Sequence, residues 1–359
     1  MSGPDTSAPD DGLKTTASLV GAVNEIDAAA WNKLANPNPE TFNPFLAHAF
    51  FKALEMSGSV GEGTGWHPRH LVIEDKSGIA GLMPLYLKTH SQGEYVFDHA
   101  WAEAYERAGG RYYPKLQCAV PFTPVPGPRL LVRSDDRDRN FEMLARTACT
   151  VANRFNASSL HVTFTDEHSW HALGRMGYLK RTGQQFHFTN PGYTTFDDFL
   201  AELASRKRKQ IRKERAEAQA DLSIRHVTGS DITEADWDAF FGFYIETGSR
   251  KWGRPYLNRE FFSLLGETMG EHCLLIFAEA NGRPIAGALN MIGGDCLYGR
   301  YWGATVHRPF LHFELCYYQA IDIAIARKLN RVEAGAQGDH KLARGYQPVT
   351  TYSAHWIAD

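Results

Sequence analysis

Residues 70–88 read HLVIEDKSGIAGLMPLYLK, and residues 274–289 read LLIFAEANGRPIAGAL. Each stretch is an apolar run of strand length, an acidic residue, a glycine-containing turn, and then Ile-Ala-Gly followed by more apolar text. The tripeptide is Ile79, Ala80 and Gly81 in the first copy and Ile285, Ala286 and Gly287 in the second. Apolar runs bounded by Asp, Asn and Gly predict β-hairpins. Pro84 has no N–H to give to a ladder, so it marks an edge or bulge in the first copy. A second echo follows in the same order. Residues 160–188 and 329–356 each predict a strand, an Asp/His cluster, a short helix, a Gly-Tyr pair and a last strand, with Gly177-Tyr178 matching Gly345-Tyr346. Two echoes in one order predict an internal duplication. Breakers in NPGYTT, residues 190–195, place its boundary there. The expected organisation is a polar, flexible tail over 1–20, one domain over 21–190 and a second over 191–359.

Amphipathic stretches lie between these strands. VNEIDAAAWNKL from Val23, FLAHAFFKALEM from Phe45 and FLHFELCYYQAIDIAIARKL from Phe310 predict helices. In the last, Leu311, Leu315, Tyr318, Ile325 and Leu329 share one broad face. Asp322 sits beside that face and needs a partner if buried. The fold class expected is α/β, with mixed, largely antiparallel sheets flanked by helices.

Composition narrows the function. The 38 basic and 41 acidic residues give a net charge of −3, which argues against a generally basic nucleic-acid binder. The five cysteines form no CxxC pair, which fits a reducing compartment and no structural zinc. The histidines form no HExxH set, so no metal site is expected. The start MSGPDTSAPDDG has no apolar signal core, and no apolar run approaches the roughly 20 residues of a membrane span. A cytoplasmic protein is expected, with peripheral contact at the membrane's inner face left open.

Several stretches carry a family resemblance: HPRHLVIE from His67, YYPKLQCAVPFTPVPGPRLL from Tyr112, SRKRKQIRKER from Ser205, KWGRPYLNREFF from Lys251, YWGATVHRPFLHFELCYYQAIDIAI from Tyr301 and EAGAQGDHKLARGYQP from Glu333. From about Ala30 onward the chain resembles the FemAB-like predicted N-acyltransferases of bacteria, within the acyl-CoA N-acyltransferase superfamily. The resemblance implies tandem acetyltransferase-like domains, in agreement with the duplication. It implies transfer of an acyl group from an activated donor, acyl-CoA first, to an amine of a lipid or cell-envelope precursor, with a sphingoid base compatible. The chain departs from the family's better-known members. The expected helix over 197–220 is too short for the coiled-coil arm of some aminoacyl-tRNA-dependent enzymes, and no Q/R-x-x-G-x-G/A turn is well placed. These departures leave neither donor established; acyl-CoA is taken first, with acyl carrier protein and aminoacyl-tRNA behind it. A non-catalytic protein that binds an envelope precursor or RNA is the alternative of another class.

Acyl transfer to an amine needs a base for the amine, donors for the developing oxyanion, and a proton for the leaving group. His340, Glu314 and His312 are the catalytic candidates. In residues 333–346, Gly335 and Gly338 permit tight turns, and Glu333, Gln337, Gly338, Lys341 and Arg344 are candidates to bind substrate or donor. Tyr301, Trp302 and Trp252 join them as wall residues. Cys316, four residues after His312, is read as core rather than nucleophile, and no GxSxG elbow is present. In the first half, Tyr112 and Lys115 are candidates for the acceptor or acyl pocket. Residues 206–215, RKRKQIRKER, carry seven bases and one acid. Lys207, Arg208 and Arg212 there are candidates to hold a phosphate-bearing donor or an anionic membrane surface, ahead of RNA. No bound cofactor is expected.

Overall fold

The computed structural model describes residues 15–252, 255–335 and 338–358. The first hairpin pairs His70–Asp75 with Gly78–Met83, and its copy pairs Cys273–Ala280 with Arg283–Ile292. Each hairpin has a register shift beside its acidic residue, at Ile73/Glu74 and Ala278/Glu279. The glycine of each repeated tripeptide faces a large side chain across the ladder, Gly81 opposite Ile73 and Gly287 opposite Phe277. A methyl group at Gly81 would come within 2.9 Å of Leu144, and one at Gly287 within 3.0 Å of Phe277 and 3.2 Å of Phe243. Leu144 and Phe243 belong to the helices Arg137–Arg154 and Glu234–Trp252. In both halves a Cβ at this glycine would crowd the cross-strand side chain and a side chain from the overlying helix, a physical reason for the tripeptide to recur.

The second echo is equally physical. Gly177 and Gly345 both adopt left-handed backbone, at φ 93° and 85°. The tyrosine after each is buried. Tyr178 donates to the Ala145 carbonyl at 3.0 Å and Tyr346 to the Tyr317 carbonyl at 3.4 Å, each reaching a helix of its own half.

Those last strands then cross over. Leu179–Thr189, from the first half, pairs with Arg331–Glu333 of the second. Gln347–Ile357, from the second half, pairs with Ser159–Thr165 of the first. The two long strands also pair with each other, from Gln347↔His187 to His355↔Leu179. One eleven-stranded sheet results. In spatial order it runs Ser223–Thr228, Cys273–Ala280, Arg283–Ile292, Cys296–Ala304, Arg331–Glu333, Leu179–Thr189, Gln347–Ile357, Ser159–Thr165, Lys115–Cys118, Leu85–Lys88, Trp66–Pro68. Parallel pairs occur at equivalent places in the two halves, Lys115–Cys118 with Ser159–Thr165 and Cys296–Ala304 with Arg331–Glu333. A smaller sheet holds Thr16–Val20, His70–Asp75, Gly78–Met83 and Leu131–Val132. Pro84 is where the chain leaves the small sheet for the large one. One of the three hydrophobic cores also crosses the 190/191 boundary, joining Phe45, Phe50 and Phe51 to Phe261, Leu289 and Tyr298.

Three sequence expectations are corrected. Residues 16–20 are not tail: they pair with His70–Asp75 in the register Thr16↔Glu74 to Val20↔His70, and residues 1–14 lie outside the described residues. The helix expected over 197–220 is two, Phe196–Ala201 and Ser205–Gln219, the first opened by a capping box between Thr195 and Asp198. The helix from Phe310 is not uniform. It opens as Leu311–Phe313, widens into a π-helical turn over Glu314–Tyr318, and resumes at Gln319–Ala326. Such turns rotate the side chains on either side out of α register.

Candidate functional site

A cavity of about 620 Å³ opens where two parallel strands part. Cys296–Ala304 and Arg331–Glu333 are paired only from Cys296↔Arg331 to Tyr298↔Glu333. Beyond that point the first strand continues to Ala304 while the second ends at Glu333. The helix from Leu311 contributes His312, Cys316 and Tyr317, and the turn Asp339–Arg344 contributes His340 and Lys341. The first half closes the side with Tyr95, Phe97, Phe122 and Pro124. Tyr301 ties the halves at this point by donating to the Phe122 carbonyl at 2.9 Å.

Six sequence candidates meet at this cavity: His312, His340, Gly338, Lys341, Tyr301 and Trp302. Lys341 is buried, its Nζ donates to the Gly335 carbonyl at 3.1 Å, and burial lowers its amine to about 8. His340 is exposed, with Nε2 3.0 Å from the Tyr317 hydroxyl. Burial pushes the Tyr317 hydroxyl up, so it stays protonated across the ordinary pH range. His312 packs its ring against Trp302 and Tyr317, with centroids 5.0 and 5.3 Å away. Gly338, at φ 105°, lets the His340 ring fold over the turn, since a Cβ there would lie 2.3 Å from that ring. Gln337 and the side chain of Trp252 lie outside the described residues.

The other candidates are placed elsewhere. Glu314 is fully buried, and two residues after cavity-lining His312 it falls on the opposite face of the helix. It accepts from Arg215 at 3.0 Å, Gln219 at 2.8 Å and Gln319 at 2.6 Å, so its oxygens are committed. Arg215 also pairs with Asp322 at 2.6 Å, which supplies the partner that residue required. Arg344 is buried against Glu214 at 2.9 Å and lies over the Phe313 ring. Tyr112 and Lys115 belong to a buried network in the first half. Tyr112 donates to Asp98 at 2.6 Å, and Lys115 donates to Glu94 at 2.7 Å, to Ser91 and to Asp98. That network continues through His161 to His355, whose Nδ1 atoms are 2.6 Å apart. Lys207 meets Gln210 at 3.4 Å, Arg208 donates to the Ala201 and Leu203 carbonyls at 3.0 Å, and Arg212 pairs with Asp197 at 2.8 Å. Arg208 and Arg212 brace the junction of two helices, Lys207 bonds within its own helix, and none of the three is among the residues lining the cavity.

Glu333 stands one shell behind the cavity. It pairs with Arg300 at 3.0 Å, and it is Arg300 that lines the space. The strand ladder explains this. Opposite Arg283–Ile292 the register jumps from Leu289↔Tyr301 to Asn290↔Gly299, leaving Arg300 as the extra residue of a bulge. Arg300 and Asn290 were not legible as site residues. LYGRYWGAT reads as a plain strand, and a bulge leaves no periodic signature. Among the described residues no carboxylate lines the cavity, whereas Arg300 and Lys341 do. Among the described residues there is also no cluster able to hold a metal ion, and no helix long and apolar enough to cross a membrane.

Comparison with known proteins follows the fold. A family model described as FemAB-like, peptidoglycan biosynthesis/recognition, matches residues 22–359. No curated protein matches the chain. Among solved structures, FemX superposes with a TM-score of 0.58 at 11% identity, covering 93% of this chain and 96% of its own. The C-terminal domain of a putative lysylphosphatidylglycerol synthetase from Agrobacterium fabrum gives 0.54 at 8%, with 92% and 93% covered. A tandem GNAT protein from the clavulanic acid biosynthesis pathway gives 0.51 at 12%, with 96% and 98% covered. At these identities the likeness is one of fold, and it is the tandem acetyltransferase-like fold that the family resemblance implies and the duplication agrees with.

Proposed function

This chain belongs to the FemAB-like family, and on that premise we propose that it is an N-acyltransferase working in the cleft between its halves. It moves an acyl group from an activated donor, acyl-CoA first, to an amine of a lipid or cell-envelope precursor. One observation carries the reading: a buried lysine amine, lowered to about 8, lines a cavity that no described carboxylate neutralises. An amine acceptor arrives protonated and must lose a proton before its lone pair can attack. Neutral Lys341 takes that proton. The amine nitrogen bonds to the acyl carbon as the carbonyl pair moves to oxygen; the nitrogen then gives up its second proton to solvent, and collapse breaks the carbon–sulfur bond and expels the donor's thiolate. That thiolate takes a proton relayed from exposed His340 at the rim through the Tyr317 hydroxyl, which gives one proton as it gains another. The apolar side, with Phe122 stacked on Tyr256 at 5.0 Å, suits a hydrocarbon portion.

A second reading has its own observation. Arg206, Lys209 and Lys213 are exposed on the Ser205–Gln219 helix, which suits a polyanionic donor such as an aminoacyl-tRNA. The test is mass spectrometry of the purified protein with acyl-CoAs of graded length and a panel of amines including a sphingoid base. Parallel arms supply acyl carrier protein and aminoacyl-tRNA. An amide product that disappears in Lys341→Met supports the proposal, and the productive arm names the donor. The absence of amide from every arm removes the catalytic reading in favour of envelope-precursor binding.

A further inference from the structure

Two buried donors at the inner end of the cavity have no hydrogen-bond partner among the described residues: Asn290 Nδ2 and Arg300 Nε. Asn290 is 1% exposed and the Arg300 side chain 3%, and both line the cavity. A buried donor left without an acceptor is costly, so two on the wall of one cavity point to something that completes them. The rest of the Arg300 guanidinium is held firmly. Nη1 donates to the Gly299 carbonyl at 2.9 Å, Nη2 to Glu333 at 3.0 Å, and the group lies over the Phe45 and Tyr298 rings. Glu333 balances the arginine's charge, and Lys341 adds a further cation facing the same space. What is missing at this end is an oxygen acceptor, and a negative one is favoured. Much of the remaining lining is apolar. Phe97, Phe122, Pro124, Pro255 and Tyr256 belong to it, and Phe97 is 54% exposed at its edge.

We propose that Asn290 and Arg300 form an oxygen-recognition subsite, and that the cleft selects amphiphiles carrying an oxyanion or carbonyl head on a hydrocarbon chain. The inference rests on the transfer reading only in taking this cavity as the substrate site. In that reaction the subsite receives the acyl oxygen and gains strength as charge develops on it. The head is a carboxyl-derived oxygen or a phosphate oxygen, which share this donor pattern.

The experiment is isothermal titration of the full-length chain at pH 7.5 with dodecanoate, dodecyl phosphate, dodecanol and dodecylammonium, each below its micelle concentration. Dodecanoate or dodecyl phosphate is expected to bind at least about tenfold more tightly than the alcohol or the ammonium, the tighter anion naming the head. Asn290→Leu is expected to weaken the anion about 10- to 100-fold by removing one charge-assisted hydrogen bond. Should Asn290→Leu melt early, isosteric Asn290→Asp carries the test, because it replaces the donor with a like charge. Equal affinity for dodecanol, tighter binding of dodecylammonium, no binding of either anion, or an unchanged affinity in a folded Asn290 variant overturns the proposal. Asn290-dependent anion binding without amide formation by any donor would keep the subsite and remove the transfer reading. Amide formation without Asn290-dependent binding would do the reverse.

Discussion

Lys341 shows how one residue's chemistry depends on where the chain puts it. An ammonium in water holds its proton to about pH 10.4. Burial beside the cavity lowers Lys341 to about 8, so a usable fraction is neutral near neutral pH. If it is the base for the acceptor amine, kcat/KM should rise with pH and level off above an apparent pKa near 8. Lys341→Met should cost about 10²- to 10⁴-fold and lose that limb of the profile. A profile unchanged in the variant would assign the proton to another group. Glu314 makes the opposite case. Its position near a helix start was readable, and so was the dipole's preference for an acid there. Its partner was not, because Arg215 arrives from 99 residues away. Arg215→Ala leaves Glu314 buried without its cation and should destabilise the protein by about 3–5 kcal/mol, read as a fall in urea midpoint. Glu314→Gln, by contrast, should leave the pH dependence of turnover where it was.

At the scale of elements, the repeated Ile-Ala-Gly was visible in the sequence while its reason was not. A Cβ at Gly81 would crowd Leu144 and Ile73, and one at Gly287 would crowd Phe277 and Phe243; Leu144 and Phe243 come from helices more than 40 residues away. Gly81→Ala or Gly287→Ala should each cost about 1–3 kcal/mol by overpacking, seen in chemical denaturation. The bulge at Arg300 and the π turn at Glu314–Tyr318 are single insertions into regular elements. The bulge aims Arg300 at the cavity, and the π turn carries Cys316 and Tyr317, which also line it. Neither disturbs hydrophobic periodicity enough to be read, which is why Arg300 escaped notice; Glu314, two residues after His312, lies on the other face of its helix.

Across the whole molecule, the exchange of last strands makes the halves interdependent. Residues 1–190 expressed alone would leave Ser159–Thr165 without Gln347–Ile357, and residues 191–359 alone would leave Arg331–Glu333 without Leu179–Thr189. Neither half should show a cooperative thermal transition by itself, and co-expression should restore one complex. Two independently melting halves would contradict this. The seam also carries an acid sensitivity. His161 and His355 meet across the Ser159–Thr165 and Gln347–Ile357 pair, where burial first and nearby cations second hold both neutral, His355 down to about 3. Their facing nitrogens can share one proton but not two. The unfolded chain protonates both near 6.5, so it gains protons the folded chain refuses. Stability should therefore fall as pH drops below about 6.5, by at most about 1.4 kcal/mol per pH unit for each histidine. Melting temperature measured from pH 7.5 to 5 should show this, with a shallower slope in His355→Asn.

The sequence by itself determined the duplication, the hairpins, the turn glycines and the family, because these rest on local periodicity and on residue types that force a backbone conformation. It also assembled much of the cavity, since His312, His340, Lys341, Tyr301 and Trp302 lie in two short stretches that one parallel strand pair brings together. Only the tertiary structure decided which charged residues face the cavity and which are sealed against a partner. Arg344 is matched by Glu214 from 130 residues away, and Lys115 by Glu94 and Asp98 inside the first half. Only the tertiary structure joined the halves through exchanged strands. Charge pairing and strand exchange are long-range contacts, chosen by burial and desolvation in the finished fold, and no local pattern in the chain encodes them.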